Sequence, residues 1–324
     1  MHVAIVGAGA LGLAYGVWSA GFCEVSFVVR RNAPRGGVRV ERVGRTKELA
    51  REVRRVAAVR ASTEVAAEAD VIVVTVRADQ LASALGRIAD GTSDAPVVVL
   101  TPMMPVAYAE ARALLGNRLR AAMPGVIAYL ASAVDDTEDD ASDVRVRAWF
   151  PAAAPTFIDE LRGTADQQTT LAALAETWTA AGLATRFAMG VHETNPATTA
   201  AFVPLAMAVD VAGSLDALVA DAALLDLAVR AADEGLALGA RLGPVAPWAA
   251  LLTRFARPSL IKLGVALARR SAAEASGYVD GHFGRKLHAQ NVAMAAELVE
   301  LAKERGEAHA ALEELRLRLA SVSS

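Results

Sequence analysis

An α/β N-terminal part followed by an all-α C-terminal part is the architecture this 324-residue sequence predicts. Three observations carry that reading. A short apolar run at the very start is followed at once by three closely spaced glycines. Strand-like and helix-like segments then alternate to about residue 188. Beyond that point only helical spacing returns. The length suits two domains, and we place the boundary between residues 188 and 189, giving segments 1–188 and 189–324.

The first element is "HVAIV" (2–6), a continuous apolar run of the kind a buried parallel strand shows. Gly7, Gly9 and Gly12 follow in G-x-G-x-x-G spacing, and Leu11, Leu13, Tyr15 and Val17 lead into a helix. Each glycine has a physical task. Gly7 permits the tight turn out of the strand, Gly9 lets backbone approach a pyrophosphate, and Gly12 lets the helix sit close on the sheet. The helix start then offers free N–H groups and a partial positive charge to phosphate. The segment Gly7, Ala8, Gly9, Ala10, Leu11, Gly12 therefore predicts a Rossmann-type dinucleotide turn.

The second strand is "EVSFVV" (24–29). An acidic residue at its end would hold a ribose 2′-hydroxyl. This chain has Arg30 and Arg31 there instead. Guanidinium groups pair with a 2′-phosphate that a carboxylate would repel, so the cofactor predicted is NADP(H) rather than NAD(H). Further strands are expected at "RVAAVRA" (55–61), "DVIVVTV" (70–76), "APVVVLTPMMP" (95–105), "RAAMPGVIAYL" (120–130) and "VRVRAWF" (144–150). Arg77 ends the strand at 70–76, on the side where ligands of open α/β sheets bind, and is expected to face the cofactor. "DDTEDDASD" (135–143) reads as a solvated loop, since its spacing does not fit a calcium loop. "DQQTTLAALAETWTAAGL" (166–183) is an amphipathic helix, and "ATRFA" (184–188) is expected to close the sheet.

In the second part, "HETNPATTAAFVPLAMAVD" (192–210) has a helix-start signal, with Asn195 as N-cap and Pro196 in the first helical position. Pro204 is expected to kink or end that helix. Helical stretches follow at about 213–242, 246–271 and 282–306, the last stopped by Gly306. The fold predicted is thus an α/β Rossmann-type N-terminal domain followed by an all-α C-terminal domain, with the substrate site in the cleft between the two.

Composition narrows the function. The chain is 54% hydrophobic and 21% charged, with a net charge of −3, which gives no footing for nucleic acid or an anionic membrane as partner. Cys23 is the sole cysteine, expected as buried packing, and excludes an internal disulfide or a cysteine-based metal site. With the first strand starting at His2, no leader is expected, and the absence of a long charge-free apolar run leads us to expect no membrane span. The sequence reads as a cytoplasmic protein acting on a small molecule. Lysines number four, Lys47, Lys262, Lys286 and Lys303, against many arginines. Each therefore matters as a possible proton donor, because arginine does not readily deprotonate.

In order, "IVGAGALG", "VVRR", "VIVVTVRADQL", "TFIDELRG" and the closing "AAELVELAKERG" resemble the ketopantoate reductase (2-dehydropantoate 2-reductase) family over nearly the whole chain. The resemblance implies NADPH-dependent reduction of a 2-oxo acid and suggests a homodimer. It also implies a lysine and two asparagines on the first helix of the second domain. Here those positions hold Thr198, Phe202 and Ala206, or Asn195, Thr199 and Val203 in the register that matches "VP". The family's Asn-Gly falls near Met103–Met104, its substrate-contacting glutamate at Gln290 and its serine near Tyr278. The cofactor half matches, and the substrate half is rewritten.

Reducing a carbonyl leaves an alkoxide that needs a hydrogen-bond donor or acid. His282, Lys286 and Gln290 recur every fourth residue, hence on one helix face, and Lys286 could replace the missing lysine. His192, Glu193 and Asn195 form a second polar cluster, while His288, out of step, is expected to be solvated. The catalytic candidates are Lys286, His192, Thr198 and Gln290. Those for the cofactor are the glycine turn, Arg30, Arg31, Arg77 and Met103. The function expected is reduction of a carbonyl or imine other than ketopantoate. The alternative is a non-catalytic NADP(H)-binding sensor or partner protein.

Overall fold

The computed structural model describes residues 1–29, 36–42, 52–65, 67–91, 93–131, 143–150, 154–160, 163–270 (267–270 as backbone), 279–280 and 287–322. The chain divides into two compact units. The first runs to His192, and the second comprises Glu193 onward together with Met103–Pro105.

The first unit alternates β1 (His2–Val6), α1 (Ala10–Ser19), β2 (Glu24–Val28), β3 (Val38–Arg42), β4 (Glu52–Val56), β5 (Ala61–Ser62), β6 (Val71–Val74), α2 (Ala78–Ala89), β7 (Val97–Val99) and α3 (Pro105–Leu115). There follow β8 (Leu119–Met123), β9 (Ile127–Leu130), β10 (Val144–Trp149), β11 (Thr156–Asp159), α4 (Ala165–Ala180) and β12 (Thr185–Ala188). Eight strands form one sheet in the order β12-β11-β8-β7-β6-β1-β2-β5, parallel except where β11 meets β8. The sequence expectation that "ATRFA" closes the sheet holds, since β12 is its edge.

A second sheet, β4-β3-β10-β9, is the feature the sequence reading missed. It explains α1. That helix is apolar on every side, with Leu13, Tyr15, Val17 and Trp18 all buried, as befits a helix covered on both faces. β3, β9 and β10 lie against it. Tyr15 meets Trp178 of α4, ring centroids 4.8 Å apart, and Trp18 meets Phe150 at 4.8 Å. Two expected strands are corrected accordingly. Residues 55–61 are split between β4 of the small sheet and β5 of the large one. Residues 120–130 are cut at Pro124–Gly125, so β8 and β9 belong to different sheets. The cut needs glycine, because a Cβ at Gly125 would lie 2.3 Å from the Ala154 carbonyl oxygen. Cys23 is only partly buried, but it packs against the core as expected, its Sγ 3.6 Å from the Ser19 carbonyl.

The second unit is helical: α5 (Val191–Ala212), α6 (Leu215–Ala220), α7 (Ala222–Leu242), α8 (Pro247–Arg254), α9 (Pro258–Arg270), α10 (His288–Glu304) and α11 (Ala310–Ala320). Gly239 and Gly235 of α7 allow close passage of α5, since a Cβ at either would lie within 2.5 Å of an α5 carbonyl. Gly306 ends α10 at φ +67°, as expected. The expected start of α5 is corrected. The helix begins at Val191, four residues before Asn195, and contains both Pro196 and Pro204. Among the described residues no helix is long and apolar enough to cross a membrane.

Candidate active site

The turn between β1 and α1 is built from backbone. Gly7 sits at φ +108°, a region that L side chains rarely adopt. Its N–H donates to the Val28 carbonyl (3.0 Å), and its own carbonyl accepts from the Thr75 hydroxyl (2.9 Å). Gly12 lies against this same carbonyl: a Cβ there would be 2.0 Å from the Gly7 oxygen and 2.6 Å from Thr75 Oγ1. Gly9 differs, because nothing lies within 4 Å of a Cβ built on it. It caps α1 in extended geometry with no side-chain cap. The first-turn N–H groups of Ala10, Leu11 and Gly12 therefore have no intrahelical partner. Open space and free donors at one helix start fit a pyrophosphate. Thr75, which locks the turn from β6, was not legible in the sequence because nothing in "VVTV" marks a hydroxyl that reaches across the sheet.

Arg77 stands at the start of α2, at the end of the β6 segment, as expected, and its guanidinium pairs with Asp79 at 3.0 and 2.9 Å. Met103 and Met104 are both buried. Arg30, Arg31, His282 and Lys286, together with Tyr278 and most of the acidic run 135–143, lie outside the described residues. Asp143, the last of that run, accepts from Arg55 Nε at 2.6 Å, and this arginine holds its carboxyl below the usual carboxylate range.

Asp159, at the end of β11, organises the start of α5. Its Oδ1 accepts from the Val191 N–H (3.3 Å) and the Glu160 N–H (3.2 Å), and its Oδ2 takes His192 Nδ1 at 2.7 Å. The His192 ring stacks on Tyr108, 4.9 Å between centroids at 16°. This remote carboxylate is why α5 starts early: the cap comes from another element, and no local cap at Asn195 is needed. Asn195 is instead buried, its Oδ1 accepting from the Thr199 hydroxyl at 3.4 Å.

Thr198 is buried, and its Oγ1 accepts from the Ala246 N–H at 3.0 Å. It serves the seam between α5 and the start of α8. One turn on, Phe202, Ala206 and Val209 line an open apolar depression of about 860 Å³ within the second unit, with Trp248, Phe255 and Ile261 among its other apolar side chains. Phe202 and Trp248 meet edge to face at 5.8 Å. In the ungapped register the positions at which the resemblance implied asparagines thus line this apolar wall; in the register that matches "VP" they are Thr199, which is buried, and Val203, which is half-buried.

The next residue on α5, Asp210, is fully buried. Its Oδ2 accepts from His288 Nδ1 (3.1 Å) and Asn291 Nδ2 (2.9 Å), both on α10. Its Oδ1 has no hydrogen-bond partner among the described residues. The expectation of a solvated His288 is therefore corrected: only 16% of its side chain is exposed. The signal for this pair was absent from either local segment, because 78 residues separate its members. Gln290, on the same first turn of α10, is half-buried.

Against known proteins, residues 3–102 match the family model "Ketopantoate reductase PanE/ApbA". No curated protein matches the chain by sequence. Among solved structures, a PanE/ApbA family ketopantoate reductase from Ralstonia eutropha JMP134 superposes with a TM-score of 0.66 at 20% identity, covering 99% of this chain and 97% of that one. A D-mandelate dehydrogenase in ternary complex with NADH and anilino(oxo)acetate gives 0.66 at 14% identity, covering 99% and 98%. A dimeric ketopantoate reductase from Staphylococcus aureus gives 0.62 at 11% identity, covering 99% and 98%. The resemblance seen in the sequence therefore stands: residues 3–102 match the ketopantoate reductase PanE/ApbA family, and the chain shares its fold with solved ketopantoate reductases along nearly its whole length.

Proposed function

We propose that this protein is a cytoplasmic NADPH-dependent reductase of a carbonyl or imine compound of 2-oxo acid type, with an apolar substituent, and that ketopantoate is not its substrate. The cofactor supplies the hydride. The turn at Gly7–Gly12 would hold its pyrophosphate, Arg30 and Arg31 its 2′-phosphate, and Arg77 and Met103 would flank it further along. The observation that carries the substrate class is the apolar depression on α5. In the ungapped register Phe202 and Ala206 stand where polar substrate contacts were implied, and about 860 Å³ of apolar-lined space lies beside them. That volume falls in the range of roughly 300–1,000 Å³ usual for small-molecule sites. Lys286, His192, Thr198 and Gln290 are the donor candidates that the sequence supplies. Thr198 is the weakest of them, because its oxygen already accepts a backbone N–H. A homodimer is part of the proposal, consistent with the relative described as dimeric.

A panel of 2-oxo acids of rising side-chain size, and the corresponding imines, assayed by NADPH oxidation, tests the reading. We expect turnover to rise with apolar bulk. Ketopantoate should stay below a specificity constant of about 10⁴ M⁻¹s⁻¹, the lower end of ordinary enzymes. Engagement of Thr198 also favours the second reading, a non-catalytic NADP(H) sensor. Tight NADPH binding with no oxidation across the panel would establish that reading instead.

A further inference from the structure

We infer that the face made by α8 and α9 docks on a bilayer surface rich in anionic headgroups. Trp248, Leu251, Leu252 and Phe255 recur at i, i+3, i+4 and i+7, so they form one stripe along α8 and its C-terminal end. A stripe of that spacing ordinarily faces a core. The core side of α8 is instead taken by Ala249 and Thr253, both fully buried. Each residue of the stripe is open to solvent, as are Leu260 and Leu263 on α9, with 48% to 61% of their surface exposed. Trp248, Leu251, Leu252, Phe255 and Leu260 all line the one apolar depression, so these side chains are neighbours in space and not scattered singly. By ordinary side-chain areas the six leave roughly 600 Å² open, the upper end of what a monomeric soluble protein exposes in one apolar patch.

Charge selects the occupant. Residues 235–273 contain Arg241, Arg254, Arg257, Lys262, Arg269 and Arg270 and no acidic residue. Arg241 is held by Glu307, and Arg257 reaches Asp233 of α7 at 4.0 Å with both side chains exposed. Arg254 and Lys262 are exposed and have no ion pair among the described residues. The net charge of −3, which argued against a membrane partner, hides this local excess of positive charge. A second copy is the other apolar surface that could cover the stripe, but a twofold contact would set the basic rim of one copy against that of the other. Anionic headgroups meet the rim with opposite charge, while Trp, Phe and Leu enter the boundary between headgroups and acyl chains. α8 and α9 have 8 and 13 residues. A bilayer crossing takes about 20, so the pair lies on the surface. The depression opens on this same face; under the reductase reading, an apolar substrate would reach it from the lipid side.

Flotation of the full-length protein with vesicles tests the docking. Vesicles of equal parts phosphatidylcholine and phosphatidylglycerol should bind about tenfold more tightly than phosphatidylcholine alone, and added salt should weaken the binding. Tryptophan emission should shift to the blue on docking, and W248F should lose that shift. L251S combined with L263S should lower binding to the mixed vesicles about tenfold or more. Both side chains are exposed, so Tm and NADPH affinity should match the unaltered protein. R254Q combined with K262Q should remove most of the preference for anionic vesicles. Absence of flotation with the mixed vesicles overturns the proposal, as does binding that neither pair of substitutions weakens. A solution dimer that L251S with L263S dissociates, without flotation of the unaltered protein, assigns the face to a second copy instead. The assay reads no turnover, so its failure and that of the reductase reading are distinguishable.

Discussion

The β1–α1 turn and helix α5 present two kinds of candidate binding surface, and they were legible in the sequence to different degrees. The turn is made of backbone, and its residues are fixed by what cannot fit: a left-handed φ at Gly7 and no room for a Cβ at Gly12. Such constraints leave glycines at fixed spacing, so three letters in the sequence were enough to find it. α5 is made of side chains whose partners come from far away. Asp159 caps it from β11, Ala246 takes the Thr198 oxygen from the start of α8, and His288 reaches Asp210 from α10. No spacing rule records those meetings. The glycine turn could therefore be read one residue at a time, whereas the first residue of α5 was placed five residues late, at Pro196 rather than Val191, and His288 was set aside as solvated.

The same contrast explains the sheets. β1, β6 and β7 are continuous apolar runs buried on both faces and announce themselves. β3 and β4 are short, arginine-bearing strands of the small sheet, and "VRVER" and "EVRRV" look like loop until α1 beneath them is seen to need a cover. All-round hydrophobicity of α1 was the available signal, and it points to a second layer only when a helix is asked what covers its outer face.

Substitutions at the two surfaces should break differently. The largest effect is expected for Gly12→Ala. The new methyl would meet the Gly7 carbonyl at 2.0 Å, and backbone cannot step aside as a side-chain end can. We expect a loss of several kcal/mol, the scale of the severest single substitutions, read as a fall in Tm together with loss of NADPH binding. A Gly12→Ala protein with wild-type Tm would show that the turn is not as closely determined as argued here.

On α5 the corresponding substitution is Phe202→Asn, which restores the kind of residue the family resemblance implied there in its ungapped register. It removes an aromatic face from the depression and from Trp248. We expect apolar substrates to weaken by about 2 kcal/mol, the worth of burying a large apolar side chain, seen as a KM raised roughly 30-fold. Ketopantoate should gain nothing measurable, because a single amide does not rebuild a site. Efficient ketopantoate turnover by this variant would mean that specificity hangs on one position after all.

Cofactor choice should show a further, smaller difference. Two guanidinium groups on a 2′-phosphate make charge-assisted hydrogen bonds worth roughly 1.5–3 kcal/mol each before screening. NADPH should therefore bind at least tenfold tighter than NADH, a difference of about 1.4 kcal/mol. Replacing both Arg30 and Arg31 by alanine should close the gap while leaving NADH affinity in place. Equal affinities in the unaltered protein would return the strand-end arginines to a solvating role.

Gly9→Ala should disturb the folded protein least, and it isolates what the turn is for. Gly9 has extended geometry, φ −77° and ψ 179°, which alanine adopts freely, and no atom lies within 4 Å of the added Cβ. Alanine is a poorer helix N-cap than glycine, but it also reduces the freedom of the unfolded chain, worth about 0.4–1 kcal/mol in the opposite direction. The two nearly cancel, so Tm should stay within a degree or two. The empty space beside Gly9 is nonetheless where a pyrophosphate must come against the backbone, and a methyl group there should weaken NADPH at least tenfold. Gly9 and Gly12 are three residues apart in one motif, yet one should fail in binding alone and the other in folding as well. Calorimetric titration of NADPH alongside thermal melts of both variants separates these outcomes. If Gly9→Ala binds NADPH as tightly as the unaltered protein, the space beside it is not the phosphate site, and the cofactor must be sought elsewhere along the strand ends.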